Sequence, residues 1–451
     1  MTLDRKTFTW LLVPIRRFMN NSAFSGILLF SAAALSMLIA NSRFADTFHH
    51  FWETKFIVGF EDFNINQSLH HWINDGLMSV FFFVVGLELK REIIAGELRN
   101  PRNAILPIVA AVCGMIFPAL IYTFLNPTGE ANHGWGVPMA TDIAFALGVL
   151  YIFGDKVPVS LKVFLTSIAI IDDLGAVLVI AFFYTSEINF NSLAVAGAFL
   201  VLLIIANRLG VRNTLFYGLI GIVGIWVSFL MSGVHATISA VLLAFTIPAR
   251  VKFTEDRYIS QMNFLMNRFK ETQSNNMPTV TEEQLEIVEK IKEVSKDAVT
   301  PLQSLEHSLH PLVAYFVMPV FALSNAGVAL SQDAVSQIFS NVTLGIFGGL
   351  MLGKFVGIVG SALLLDKLKI ARLPREINHL HLIGVGFLAA IGFTMSLFIA
   401  ELAFKNEVFL FQAKLGILTA STVAGILGYL FVRAGTGKKM PIQAEQAEAM
   451  T

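Results

Sequence analysis

The chain has 451 residues, of which 55% are apolar and only 14% charged, and its mean hydropathy is +0.67. Soluble domains carry about a quarter charged residues, so the composition excludes a disordered chain, a small disulfide scaffold and an ordinary soluble enzyme, which would leave too much apolar surface in water. The 32 Lys and Arg balance the 32 Asp and Glu, so no global field points to nucleic acid, and the single cysteine, Cys113, gives neither an internal disulfide nor a redox or metal signal.

Apolar runs of the length that crosses a bilayer core as a helix, about 20 residues, occur at 23–40, 76–95, 104–125, 137–154, 160–184, 192–207, 214–232, 234–248, 309–330, 342–365, 379–402 and 407–432. Backbone groups in lipid must be bonded within their own segment, so runs without strand alternation read as helices. The expected fold class is an all-α integral membrane protein of about twelve spans. The runs at 192–207 and 234–248 are short and read as tilted or partly re-entrant. Arg5, Lys6, Arg16 and Arg17 precede the first run, as in a signal peptide, but the run is long and no small-residue cleavage site ends it, so it reads as a retained helix. Residues 9–18 read either as an amphipathic surface stretch or as plain tail.

Charge bias supports the count. Basic residues gather at the N-terminus, in the even-numbered connections and after the last span, whereas the odd-numbered connections hold only Arg43, Lys55 and Lys405. Basic loops favour the cytoplasmic side, so both termini are expected there. The resulting layout is a cytoplasmic tail at 1–22, eight spans in 23–248, a polar cytoplasmic connection at 249–304, four spans in 305–434 and a disordered tail at 435–451. The outer segment 41–73 reads as a small hairpin. In the long connection, Thr281 and Gln284 fit a capping box, Leu285, Val288, Ile291 and Val294 fall on one stripe, and Glu286 and Lys290 are spaced as a supporting pair, which predicts one surface helix.

Ionisable groups at membrane depth are costly unless paired or solvated, and so carry the functional information. They are Asp75, Glu88, Asp142, Asp172, Asp173, His235, Lys354, Glu401 and Lys414. Asp172 and Asp173 are adjacent in the middle of the fifth span. Their side chains are about 100° apart on a helix, so both can border one cavity. Carboxylate, hydroxyl and carbonyl oxygens suit a hard cation, and protons compete for the same oxygens. In the fourth span, Pro138 disturbs a helix beside Thr141 and Asp142. Asp142 can balance helix N-termini while Thr141 offers a ligand, or the pair can mark a helix start capped by Thr141. Lys354 follows the glycine stripe Gly345, Gly349, Gly353 and Gly357, a close-packing face. It can pair with a carboxylate, balance helix C-termini or reach for the interface. Gly384, Gly386, Gly392 and Thr394 are compatible with a second interrupted helix. Glu88, Arg91 and Glu92 end the second span, and Glu306, His307 and His310 begin the ninth. Together they read as a cytoplasmic acidity sensor or as a headgroup-level charge network. His235 sits at the outer end of the eighth span.

Together these motifs resemble the NhaA-type bacterial sodium/proton antiporter family. The matching stretches are 72–98, 141–150, 164–185, 232–248, 305–330, 345–360 and 384–404, in order along both halves of the chain. This family is itself a known case of inverted-topology repeats. The resemblance implies an inverted-repeat core in which interrupted fourth and eleventh helices cross, with Asp172 and Asp173 exchanging ions and Asp173 the primary cation ligand. Asp142 and Lys354 are then expected to balance the broken-helix dipoles, Lys354 to pair with Asp172, and Asp75 to line the cytoplasmic funnel or the route below the site. Glu88, Arg91, Glu92, His235, Glu306, His307 and His310 are the expected pH-response residues. The resemblance further implies no cofactor beyond the transported Na⁺, Li⁺ and H⁺, a bacterial inner-membrane location, and a homodimer joined through 41–73. The 249–304 connection is longer than is usual in the family. Ala389 and Ala390 offer no functional side chain.

Two other classes fit parts of this pattern. An intramembrane aspartyl protease needs two buried carboxylates around one water, for which Asp142 and Asp172 are candidates, but it gives Lys354 and the histidine cluster no role. An organic-solute symporter needs polar-tipped aromatics or amides in the spans, and these are scarce.

Overall fold

The computed structural model describes residues 22–60, 63–185, 188–272, 279–329 and 334–436. The stretch 9–18 and residues 437–451 lie outside the described residues. The chain starts with α1 (Ser22–Ala40), bends by 115° into α2 (Ala45–Glu53), and then forms the antiparallel pair β1 (Lys55–Phe60) and β2 (Phe63–Ser68), with Lys55 opposite Ser68. The expected hairpin in 41–73 is therefore present, with a helix before it. A helical turn (Leu69–His71) and a π-helical stretch (Trp72–Leu77) run without a break into α3 (Met78–Ala95). Then come α4 (Pro101–Leu125), a 3₁₀ segment (Glu130–Met139), α5 (Ile143–Tyr151), α6 (Val159–Phe183), α7 (Phe190–Arg208), α8 (Thr214–Ser232) and α9 (Ala236–Thr246).

After the long connection follow α12 (Pro301–Asn325), α13 (Asn341–Lys367), α14 (His379–Ala389), α15 (Phe393–Ala403) and α16 (Glu407–Thr436), with α10 (Glu255–Glu271) and α11 (Glu282–Ala298) inside the connection. Among the described residues, eight helices are long and apolar enough to cross a membrane, or nine if the bent pair α1–α2 counts as one span. The protein is an all-α integral membrane protein. Its remaining expected spans are short, interrupted or charged: α9 has 11 residues, residues 140–142 interrupt the fourth, and α3 carries Glu88, Lys90, Arg91 and Glu92.

Large apolar side chains point outward, as lipid allows: Phe124 is 85% exposed and Phe182 78%. The α14–α15 run lies at the centre, with 89% of its apolar window buried, against 17% for α7 at the edge. The glycine stripe of α13 packs on α4. A Cβ on Gly353 would lie 2.6 Å from both Cα and N of Pro118, and one on Gly357 would lie 2.5 Å from the Cys113 carbonyl oxygen. Only glycine allows the two backbones this approach, and it sets Lys354 facing inward.

The long connection differs from the single surface helix expected. It is a helical hairpin, in which Leu265 of α10 packs against Ile287 and Val294 of α11, with Tyr258, Met262, Phe269 and Ile291 around them. The capping box at Thr281 and Gln284 is formed. The buried stripe is rotated from the one read in sequence, because the partner helix lies on the Ile287 side; Leu285 is exposed. Lys290 pairs with Glu293 at 2.6 Å, where Glu286 was expected. At the other end of the chain, α16 continues through Gly435 and Thr436, which sequence assigned to a disordered tail.

Candidate functional site

The polar centre forms where two helix interruptions meet. Residues 140–142 are extended between the 3₁₀ segment and α5, and α14 stops at Ala389 before α15 restarts at Phe393. The two breaks bond to one another: the Asp142 amide donates to the Ile391 carbonyl at 2.6 Å, and the Ser396 hydroxyl donates to the Val137 carbonyl at 2.8 Å. Asp142 is fully buried and caps two helices at once. Its Oδ1 accepts from the Phe145 amide at 2.9 Å at the start of α5, and its Oδ2 accepts from the Thr394 amide at 3.1 Å and the Thr394 hydroxyl at the start of α15. A carboxylate is favoured where two helix N-termini converge. The cap of α5 is thus Asp142, in place of the alternative cap Thr141.

On the other side of the break, Lys354 of α13 forms an ion pair with Asp172 Oδ2 and donates to Thr141 Oγ1 at 2.7 Å. Thr141 Oγ1 also lies 2.7 Å from Asp172 Oδ2 and 2.8 Å from the Ala389 carbonyl. One hydroxyl proton can satisfy only one of these acceptors at a time, so Thr141 can redirect its bond between the carboxylate and the free C-terminal end of α14. Ala389, which has no functional side chain, enters the site through its backbone. Asp172, Asp173, Thr141, Asp142, Lys354 and Thr394 are all at most 1% exposed. Among the described residues, Asp172 Oδ1 and both oxygens of Asp173 have no hydrogen-bond partner. Buried carboxylate oxygens are rarely left bare, and three of them in neighbouring residues call for a proton or a cation. Asp172, Asp142, Glu88 and Lys354 are the charges that act on Asp173.

The other residues singled out in sequence fall into two groups at opposite ends of α3. At one end, Arg91 Nε donates to Glu306 Oε1 at 3.0 Å and its Nη2 lies 3.1 Å from Glu92 Oε1. Glu88 lies within electrostatic reach of Arg91, Glu92 and Glu306, and His310 within that of Glu306 and His307. Towards the other end, Asp75 feels His71 and His235, and His235 Nε2 sits 2.9 Å from the Tyr184 carbonyl. Asp75 and Arg91 are 16 residues apart, about 24 Å along a helix, so Asp75 lies well away from the Arg91 cluster, at the other end of α3. His235 likewise stands apart from that cluster.

Sequence reasoning missed several contacts. Lys90 donates to the Phe245 and Ile247 carbonyls and closes the C-terminus of α9. Ser421 of α16 accepts from the Phe393 amide at 3.1 Å and so caps α15 from another helix. No local spacing signals either contact.

A bundle of membrane-length helices whose buried centre joins ionisable side chains to broken helix ends is the architecture of the secondary transporters, a class of carriers and not of enzymes. The chain belongs to the family described as Na+/H+ antiporter 1, whose profile matches residues 16–432. It is 50% identical to the Na(+)/H(+) antiporter NhaA of Oleidesulfovibrio alaskensis over 424 residues, covering 94% of each chain. It is 47% identical to the Na(+)/H(+) antiporter NhaA 2 of Syntrophotalea carbinolica over 427 residues, which is 94% of this chain and 97% of that relative.

Proposed function

We propose that the protein exchanges Na⁺, and also Li⁺, for H⁺ across a bacterial inner membrane, using inward proton movement to extrude the cation. The observation that carries this reading is the set of bare, buried oxygens on Asp172 and Asp173. In the proton-loaded form the pair is neutralised by protons and by Lys354. A cation arriving from the cytoplasmic side takes oxygens of Asp173 and the free Oδ1 of Asp172, with Thr141 able to turn its hydroxyl oxygen towards the ion. The protons leave to the cytoplasm. Rearrangement about the crossed breaks then exposes the site outward, where protons displace the cation. With Asp172 held by the charged Lys354, Asp173 gives up one proton and Lys354 a second when Asp172 turns to the cation, so two protons exchange for one cation and the cycle is electrogenic.

Asp142 and Lys354 hold the broken helix ends, Asp75 lines the outer route, and Glu88, Arg91, Glu92, Glu306, His307 and His310 set the pH response, with His235 modulating it from the far side. The termini face the cytoplasm, and two copies pair through the exposed hairpin in 41–73. No resident cofactor takes part. The family membership and the need for small hard-cation ligands favour this reading over a protease or an organic-solute symporter. The test is Na⁺-dependent dequenching of a ΔpH in everted vesicles. Asp173→Asn is expected to insert normally and to lose exchange with Na⁺ and Li⁺; normal exchange by that variant refutes the assignment.

A further inference from the structure

Two of the membrane-depth charges, Glu401 and Lys414, take no part in the site just described. Glu401 lies near the end of α15 and Lys414 in α16, and their side chains pair at 2.7 Å while only 13% and 14% exposed. His70, just ahead of α3, places Nε2 at 3.9 Å from Glu401 Oε1 and at 3.0 Å from Asn325 Oδ1 of α12. The amide nitrogen of Asn325 is committed, donating to Asn74 Oδ1 and to the Phe321 carbonyl, each at 3.0 Å. Asn325 Oδ1 therefore faces His70 as an acceptor, so Nε2 carries the hydrogen and Nδ1 is the position that gains or loses a proton. The cluster borders a cavity of about 610 Å³. Asp46, His49 and Glu53 of α2, His71 beside His70, and Glu407 of α16 are the other charged or titratable groups on its wall.

Glu401 and Lys414 belong to the consecutive helices α15 and α16, whereas His70 and Asn325 belong to the lead-in of α3 and to α12. The His70–Glu401 contact bridges these two pairs. Glu401 also follows Thr394 by seven residues, two turns along one face of a short rigid helix. A hold on the Glu401 end of α15 is thereby a hold on the Thr394–Asp142 contact at the other. His70 is 21 residues from Arg91, about 32 Å along a helix, so this cluster faces the water opposite the Arg91 and Glu306 cluster.

We propose that Glu401 is a positioning residue for exchange whose grip is set by a proton on His70. With His70 neutral, Glu401 serves Lys414 alone and α15–α16 is free to move against α3 and α12. With His70 protonated from the outer water, Glu401 bridges two cations and ties the helix pairs together, which slows exchange. This rests on the antiport reading above, and its tests separate the two.

The first test is exchange in oriented proteoliposomes with the cytoplasmic-face pH fixed and the outer-face pH varied. Burial and the neighbouring Lys414 hold the His70 imidazole below its ordinary range, so His70→Gln is expected to match the wild type at an outer pH of about 8.5 and to exceed it by about threefold or more only at an outer pH of about 5, well below that range. Combining Glu401→Lys with Lys414→Glu keeps the pair but presents a cation to His70, and is expected to lose the slowing at acidic outer pH. Equal rates of His70→Gln and wild type at both pH values, or an equal change at both, overturn the proposal. The second test is a histidine NMR titration of the purified full chain, which needs no transport. Glu401→Gln is expected to lower the His70 midpoint by about half a unit or more, and an unmoved midpoint overturns the proposal. A wild type that exchanges no Na⁺ for H⁺ would sink the antiport reading, while the titration still decides the contact.

Discussion

Asp142→Asn is a near-isosteric change with a cost that follows from geometry. Each oxygen of Asp142 accepts a backbone amide from a different helix, Phe145 for α5 and Thr394 for α15. A carboxamide has one acceptor oxygen and one NH₂ group. Whichever way it is turned, it presents donors to one of the two amides. The variant thus loses one charge-assisted bond, about 1.5–3 kcal/mol, and strands one buried donor, about 1–3 kcal/mol, for a total of about 2.5–6 kcal/mol. Thr394→Val removes only the hydroxyl bond to Oδ2 and keeps both amides capped, so its cost is about 1.5–3 kcal/mol. Thermal unfolding of the purified protein in detergent should place Asp142→Asn below Thr394→Val, and both below the wild type. Exchange in vesicles should fall about tenfold or more in Asp142→Asn, the equivalent of about 1.4 kcal/mol on the barrier, because Thr141 is the next residue and loses its place beside Asp172. An Asp142→Asn protein as stable as the wild type would refute the double-cap account.

Three further outcomes follow from packing. Gly353→Ala puts a methyl 2.6 Å from the Pro118 backbone; it should lower thermal stability by about 1–3 kcal/mol and reduce exchange by shifting Lys354 off Asp172, whereas Gly360→Ala, whose nearest neighbour is 4.0 Å away, should be near neutral in both assays. Lys90→Met removes the donor that closes α9 on the Phe245 and Ile247 carbonyls; a loss of about 1–2 kcal/mol is expected in the same unfolding measurement. Leu265→Ala opens the small α10–α11 core at a cost of about 2 kcal/mol or more, so limited proteolysis should nick the connection sooner while the maximal exchange rate stays unchanged.

Much of the site was legible in sequence because lipid makes charge conspicuous. Asp172, Asp173, Asp142 and Lys354 each stand in apolar runs where an unpaired charge is costly, so their presence alone singles them out. Thr141, Pro138 and Thr394 mark the breaks for a related reason, since polar or helix-disturbing residues at depth need a partner. The α10–α11 hairpin was half visible: the capping box is local and was read correctly, but the buried stripe was set by α10, a helix with no distinct signal of its own. Lys90 and Ser421 were invisible because each serves a terminus on a distant helix.

The sequence by itself determined that this is a membrane-spanning helical protein and which ionisable residues are out of place in lipid. Both follow from transfer free energies that act residue by residue. Tertiary structure alone decided that Lys354 meets Asp172, that one carboxylate caps two helices, that three carboxylate oxygens stay bare, and that Glu401 is held between Lys414 and His70. These are pairings between residues from about 13 to more than 300 positions apart. Hydropathy sets what each segment must avoid, whereas close packing at glycine faces and the crossing of broken helices set which groups are left to find one another.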